Sequence, residues 1–186
     1  MSRQLLILDL DETLIHAVEQ PLNRREDFIV GPYYVYRRPH VDAFICEVNR
    51  HFDLAVWTSS TAGYADLVVE ALFPESVELK FVWDRKRCVT VENLETQTRH
   101  WVKDLKKVKR LGYPLDRILV IDDTPQKLAR HESNLIPVLP FEGSSDDEEL
   151  LHMLRYLPTL LWAVDVRRRK LLNWRTEVQV VTQAGS

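Results

Sequence analysis

At 186 residues, 45% hydrophobic and 28% charged, the chain is long enough to bury one sizeable core and short for two. Its formal charge of −3 argues against broad non-specific nucleic-acid binding, which needs many cations to neutralise phosphates. No run approaches the roughly 20 apolar residues that span a bilayer, Asp9 and Asp11 interrupt the apolar start that a signal peptide would need, and the two cysteines, Cys46 and Cys88, read as free thiols of a reducing, intracellular setting, cytoplasmic or nuclear.

Taken in chain order, Leu5 to Leu8 is apolar on both faces, as a central strand of a parallel sheet is, and ends in Asp9 and Asp11. Phe28 to Arg37 reads as a hairpin turning at Gly31-Pro32. A helix from Pro39 puts Val41, Phe44, Ile45 and Val48 on one face, with Cys46 expected to pack on its apolar side. A strand over 52–57 ends in Thr58-Ser59-Ser60-Thr61, and Tyr64, Leu67, Val68, Ala71 and Leu72 form the next amphipathic stripe. A short strand is expected over 79–83, a helix over 101–111 closed near Gly112, a strand over 117–121, a short helix from Pro125, and an edge strand near Leu135 to Val138 limited by Pro137. Ser145 to Glu148 fits a capping box for a final long helix striped by Leu150, Leu151, Met153, Leu154, Leu157 and Leu161, which Pro158 kinks or shortens. The alternation predicts an α/β fold: a three-layer, doubly wound, Rossmann-like sandwich with a central, mainly parallel sheet and a small β-hairpin insert. A single domain is expected over 1–174, with Leu171 to Trp174 covering an apolar surface and a flexible tail over 175–186.

Three apolar strands thus end in chemically suited residues. Asp9 and Asp11 are too close to share a buried site without a proton or a cation such as magnesium, although the pair also fits a strand cap that starts a turn. Thr58 to Thr61 offers hydroxyls and N–H groups to phosphate oxygens, or simply caps a helix; Asp122-Asp123-Thr124-Pro125 offers metal-binding carboxylates as well as a helix start. Basic residues cluster at Arg85-Lys86-Arg87 and at Lys103, Lys106, Lys107, Lys109 and Arg110, which reads as a solvated face or as a guide for an anionic partner. The six histidines are scattered without a zinc-binding spacing.

The stretches Asp9-Leu10-Asp11-Glu12-Thr13-Leu14, Arg38-Pro39-His40-Val41, Trp57-Thr58-Ser59-Ser60, Trp101-Val102-Lys103-Asp104-Leu105 and Ile121-Asp122-Asp123-Thr124-Pro125 resemble, in this order, the haloacid dehalogenase superfamily of phosphohydrolases. The Arg-Pro-His-Val and Val-Lys-Asp-Leu stretches point to the branch of RNA polymerase II C-terminal-domain phosphatases and nuclear LIM interactor-interacting factor-like proteins. The resemblance implies a Mg2+-dependent phosphatase with an aspartyl-phosphate intermediate. Asp9 is then the nucleophile and Asp11 the acid and base, an order that spacing alone does not give. Thr58 and Lys103 bind the phosphoryl group, Thr13 braces the nucleophile loop, Glu12 is peripheral and Arg85 approaches the leaving portion. Mg2+ is implied on Asp9, the Asp11 carbonyl and the Asp122-Asp123 pair, with Asp123 the direct ligand, although the branch commonly carries asparagine there. The short connections leave no room for a large cap. An open cleft suits phosphoserine or phosphothreonine in a protein segment, with Tyr33, Tyr34 and Tyr36 either in its groove or packed on the core; a small phosphate ester or a nucleic-acid-end phosphate is the alternative substrate, and a non-catalytic phosphoprotein-binding module is the alternative role. No membrane partner is expected.

Overall fold

The computed structural model describes residues 3–93 and 98–178. In chain order these form β1 (Leu5–Leu8), β2 (Ile15–Val18), β3 (Phe28–Val30), β4 (Tyr33–Arg37), α1 (Val41–His51), β5 (Asp53–Trp57), α2 (Ala62–Leu72), β6 (Leu79–Trp83), β7 (Val89–Asn93), β8 (Thr98–Val102), α3 (Lys106–Lys109), β9 (Ile118–Asp122), β10 (Leu135–Pro137) and α4 (Glu149–Tyr156). Five strands make a wholly parallel sheet in the order β10-β9-β1-β5-β6. The antiparallel trio β2-β4-β3 is the expected hairpin insert enlarged by one strand, and β7-β8 is a second hairpin.

The period of two along β1 divides its four buried residues between the sheet's faces. Leu6 and Leu8 join a cluster with Val41, Phe44, Ile45 and Val48 of α1, Val68 and Leu72 of α2, and Leu150 and Met153 of α4. Leu5 and Ile7 join the opposite cluster, with Ala55, Trp57, Leu105, Val108 and Val120. The α/β sandwich expected from the alternating pattern is therefore the architecture observed, with β10 at a sheet edge. Among the described residues no helix is long and apolar enough to cross a membrane.

Local readings fail where long-range contacts win. Residues 98–102 are not helical: they pair strand-wise with Val89–Asn93, and only Lys106–Lys109 turns as α-helix. Val102, Leu105 and Val108 are all buried, brought to the core by a strand, a turn and one helical turn rather than by one continuous helix. Cys46 is exposed, outside the arc of α1 that holds Val41, Phe44, Ile45 and Val48, so it does not pack as expected. Leu67 of α2 is likewise exposed, and Ala65 takes its place in the core. The capping box over Ser145 to Glu148 does not form: Asp147 Oδ1 accepts the Glu149 N–H at 3.0 Å while holding Arg38. After α4, Pro158 sits in a 3₁₀ turn, Leu157–Leu160, which ends the regular helix.

Leu171 and Trp174 cover the first cluster, and the Trp174 indole donates to the Pro137 carbonyl at 2.7 Å on the edge strand. Within the stretch expected as a tail, Arg175 pairs with Glu149 and Val178 is buried; residues 179–186 lie outside the described residues.

Candidate active site

The sheet's register assembles the three strand ends. Leu8 stands opposite Val56 of β5 and Ile121 of β9, so Asp9 is level with Trp57 and Asp122, and the Asp9 N–H reaches the Ile121 carbonyl at 3.1 Å. The chain runs from β1 to β5 and β6 on one side and returns to β9 and β10 on the other. Asp9 therefore leaves the sheet at its topological switch point, where open α/β sheets bind ligands beyond the strands' carboxyl ends.

Asp9 is 1% exposed and carries a cation on each oxygen: Lys103 Nζ lies 3.1 Å from Oδ1 and Lys127 Nζ 2.6 Å from Oδ2. The same ammoniums bridge to Asp122, Lys103 at 2.5 Å from Oδ2 and Lys127 at 3.3 Å from Oδ1. Burial opposes charge on Asp9, but the two lysines outweigh it and hold the carboxyl below its ordinary range. Asp122 moves the other way, pushed up by complete burial and by the Asp9 charge. Lys127 was missed in the sequence, where nothing separated it from the other surface lysines. By contrast Lys107, from the same basic cluster as Lys103, donates to the Arg87 carbonyl at 2.6 Å.

Asp11 stands apart from this cluster. Its oxygens accept hydrogen bonds from Ser60 Oγ and Tyr64 Oη, each at 2.6 Å, and burial lifts its carboxyl above the ordinary range despite them. Tyr64 gave no signal beyond its place in an apolar stripe. Thr58, 1% exposed, accepts the Ser60 N–H on Oγ1 at 3.0 Å. Its own hydroxyl proton is left to donate elsewhere.

The turn after β1 is tight: Leu14 N–H bonds the Leu10 carbonyl at 2.8 Å, and Glu12 adopts a φ of 56°. Thr13 Oγ1 accepts the Asp123 N–H at 3.1 Å, the hydroxyl-to-backbone brace expected of it, joining the ends of β1 and β9. Arg38 holds this turn from behind, giving paired 2.8 Å bonds to Asp147 and a 3.0 Å bond to the Thr13 carbonyl.

A cleft of about 440 Å³ opens beside these groups, lined by Asp11, Glu12, Ser59, Tyr33, Tyr64, Arg85, Trp101 and Lys127. Glu12 thus borders the cleft, its carboxyl pushed up to about 7 by burial and by Asp11 and Asp123. Arg85 Nε donates to the Ser59 carbonyl at 2.9 Å and its guanidinium lies over Trp101. Of the three tyrosines, Tyr33 borders the cleft, whereas Tyr36 is wholly buried.

Asp9, Asp122 and Asp123 each offer a carboxylate oxygen within 4.8 Å of the others, a cluster able to hold a metal ion. An all-oxygen set of hard donors matches Mg2+. The Asp11 carboxylate is outside it.

Residues 4–167 match the family model of the NLI interacting factor-like phosphatases. The chain belongs to this family. It is 32% identical over 179 residues to nuclear envelope morphology protein 1 of Schizosaccharomyces pombe, covering 90% of this chain and 35% of that protein. It is 32% identical over 168 residues to human carboxy-terminal domain RNA polymerase II polypeptide A small phosphatase 1, covering 87% of this chain and 60% of the relative. Fission yeast Fcp1, the RNA polymerase II CTD phosphatase solved as its R271A variant bound to beryllium fluoride, shares the fold at a TM-score of 0.58 and 20% identity over 98% of this chain and 63% of that one. The NLI interacting factor-like family is the branch to which the Arg38-Pro39-His40-Val41 and Val102-Lys103-Asp104-Leu105 stretches pointed.

Proposed function

We propose that the protein is a Mg2+-dependent phosphomonoester hydrolase that forms an aspartyl-phosphate on Asp9 and acts on phosphoserine or phosphothreonine in a protein segment. The observation that carries this reading is Asp9 itself, a buried carboxylate kept anionic by two ammoniums at the switch point of the sheet.

An Asp9 oxygen attacks phosphorus as the bond to the leaving oxygen breaks. Asp11, whose raised pKa favours the protonated acid, gives its proton to that oxygen. Ser60 and Tyr64 keep the Asp11 carboxyl oriented throughout. Asp11, now a carboxylate, then takes a proton from the water that attacks phosphorus, and cleavage of the acyl-phosphate bond restores Asp9. Thr58 donates its hydroxyl to a non-bridging oxygen, and Lys103 neutralises charge on both the nucleophile and the transferred group. Mg2+ bound by Asp9, Asp123 and the Asp11 carbonyl, with Asp122 orienting the lysines, would supply the further positive charge that lets a carboxylate meet a phosphate dianion.

The protein substrate is supported by the open cleft flanked by Arg85, Tyr33 and Trp101 and by the polymerase-tail phosphatases among the relatives. A panel of phosphopeptides, sugar phosphates, nucleotides and phosphate-ended oligonucleotides tests it. Phosphopeptides are expected to give the highest kcat/KM, and faster turnover of a small ester or an oligonucleotide end would replace this substrate class. Chelation should abolish hydrolysis of an activated aryl phosphate and Mg2+ should restore it; activity that survives rigorous metal removal would refute the metal requirement.

A further inference from the structure

We propose that Lys127 is a tethered counter-ion that occupies the divalent-cation position between Asp9, Asp122 and Asp123 and is displaced toward the cleft when a cation binds. This rests on the metal reading above. Lys127 Nζ lies 2.6 Å from Asp9, 3.3 Å from Asp122 and 3.5 Å from Asp123, the same three carboxylates that form the metal-competent cluster. Lys103 touches only two of them. An ammonium and a magnesium ion cannot share that space, because Mg2+ requires its oxygens at roughly 2.0–2.1 Å and the two like charges repel.

The two lysines also differ in freedom. The Lys103 side chain is 0% exposed, whereas that of Lys127 is 16% exposed and borders the cleft. The Lys127 backbone is anchored in a 3₁₀ turn, its N–H bonded to the Thr124 carbonyl at 3.0 Å and its carbonyl to the Lys103 N–H at 2.7 Å. Its four-carbon stem can therefore swing outward while the Lys103 segment stays in place. From this position Lys127 offsets the repulsion among three carboxylates and covers Oδ2 of Asp9. Once displaced, the ammonium enters the cleft, where an anionic phosphoryl group arrives. The cost is weakened affinity for the cation.

Binding of Mn2+, a spectroscopically visible substitute for Mg2+, to chelator-stripped protein without substrate tests this by electron paramagnetic resonance titration. Lys127→Met is expected to bind Mn2+ about 10-fold more tightly than wild type. In thermal melts, Mn2+ should raise Tm more in Lys127→Met than in wild type. Arg85→Met removes a cleft cation that bonds the Ser59 carbonyl rather than the carboxylates, and should change Mn2+ affinity less than twofold on the same electrostatic argument. Equal Mn2+ affinity in folded Lys127→Met and wild type would overturn the displacement while leaving the metal reading intact, as would equal tightening in Arg85→Met. Absence of Mn2+ binding in both proteins would overturn the metal reading and this inference together.

Discussion

Each oxygen of the Asp9 carboxylate faces its own ammonium, so removing the charge and removing a cation have different consequences. Asp9→Asn should take up no covalent phosphoryl group while keeping the fold; label on another residue in acid-quenched wild-type protein would sink the nucleophile assignment. Lys103→Met should lose on the order of 10²-fold or more in turnover, the scale of a principal electrostatic donor. Because Lys103 is wholly buried between Asp9 and Asp122, the variant should also be less stable, which urea unfolding beside the kinetics separates from the catalytic loss. The pH profile follows from two opposite shifts. The proposed mechanism needs Asp9 ionised and Asp11 protonated, so activity is expected to rise as Asp9 titrates below the ordinary carboxylate range and to fall as Asp11 titrates above it. A bell-shaped kcat/KM profile with its optimum on the acidic side, between those two titrations, is expected, and an alkaline optimum would exclude Asp11 as the acid.

At the scale of elements, two ion-pair clamps hold the loops of the candidate site. The Arg38 side chain is 0% exposed and joins β4 to the segment before α4 through Asp147, with a further bond to the Leu139 carbonyl at 2.8 Å. Arg38→Ala strips these partners at once and should cost about 3–5 kcal/mol by denaturant titration. A loss under about 1 kcal/mol would place it with surface pairs. Arg38→Lys should rescue only part, since lysine lacks the planar fork. The second clamp is Asp104, which binds His131 and Arg130 at 3.0 Å each and fixes the segment bearing Lys103. Burial opposes its charge, but the bonds from His131, the Lys106 N–H and Arg130 prevail and hold it at about 2. With the folded pKa below the unfolded value, its contribution is complete above about pH 4 and is lost as pH falls toward 2. Asp104→Asn should flatten stability across that window in urea titrations at stepped pH.

Across the whole molecule, the C-terminal segment completes the core on the β10 side. Trp174 is fully buried in the first cluster with its indole N–H satisfied by Pro137, so Trp174→Ala should cost about 3–5 kcal/mol and loosen the edge strand. Native-state hydrogen exchange at Leu135–Pro137 would detect that loosening, and unchanged protection there would show the segment to be peripheral. The sequence by itself determined the strands of the sheet and the acids and hydroxyls at their ends, because an apolar run closed by Asp9, Thr58 or Asp122 is a local pattern that burial enforces. It also carried the motif around Lys103, but not that residue's setting. Only the tertiary structure decided that residues 98–102 pair as a strand, that Ser60 and Tyr64 hold Asp11, that Arg38 is a buried clamp rather than a surface charge, and that Lys127, separated from Asp9 by 118 positions, shares its carboxylate. The reason is that charge neutralisation and strand pairing act through space: a lysine or a β-branched run looks the same in the linear chain whichever carboxylate or partner strand the fold brings to it.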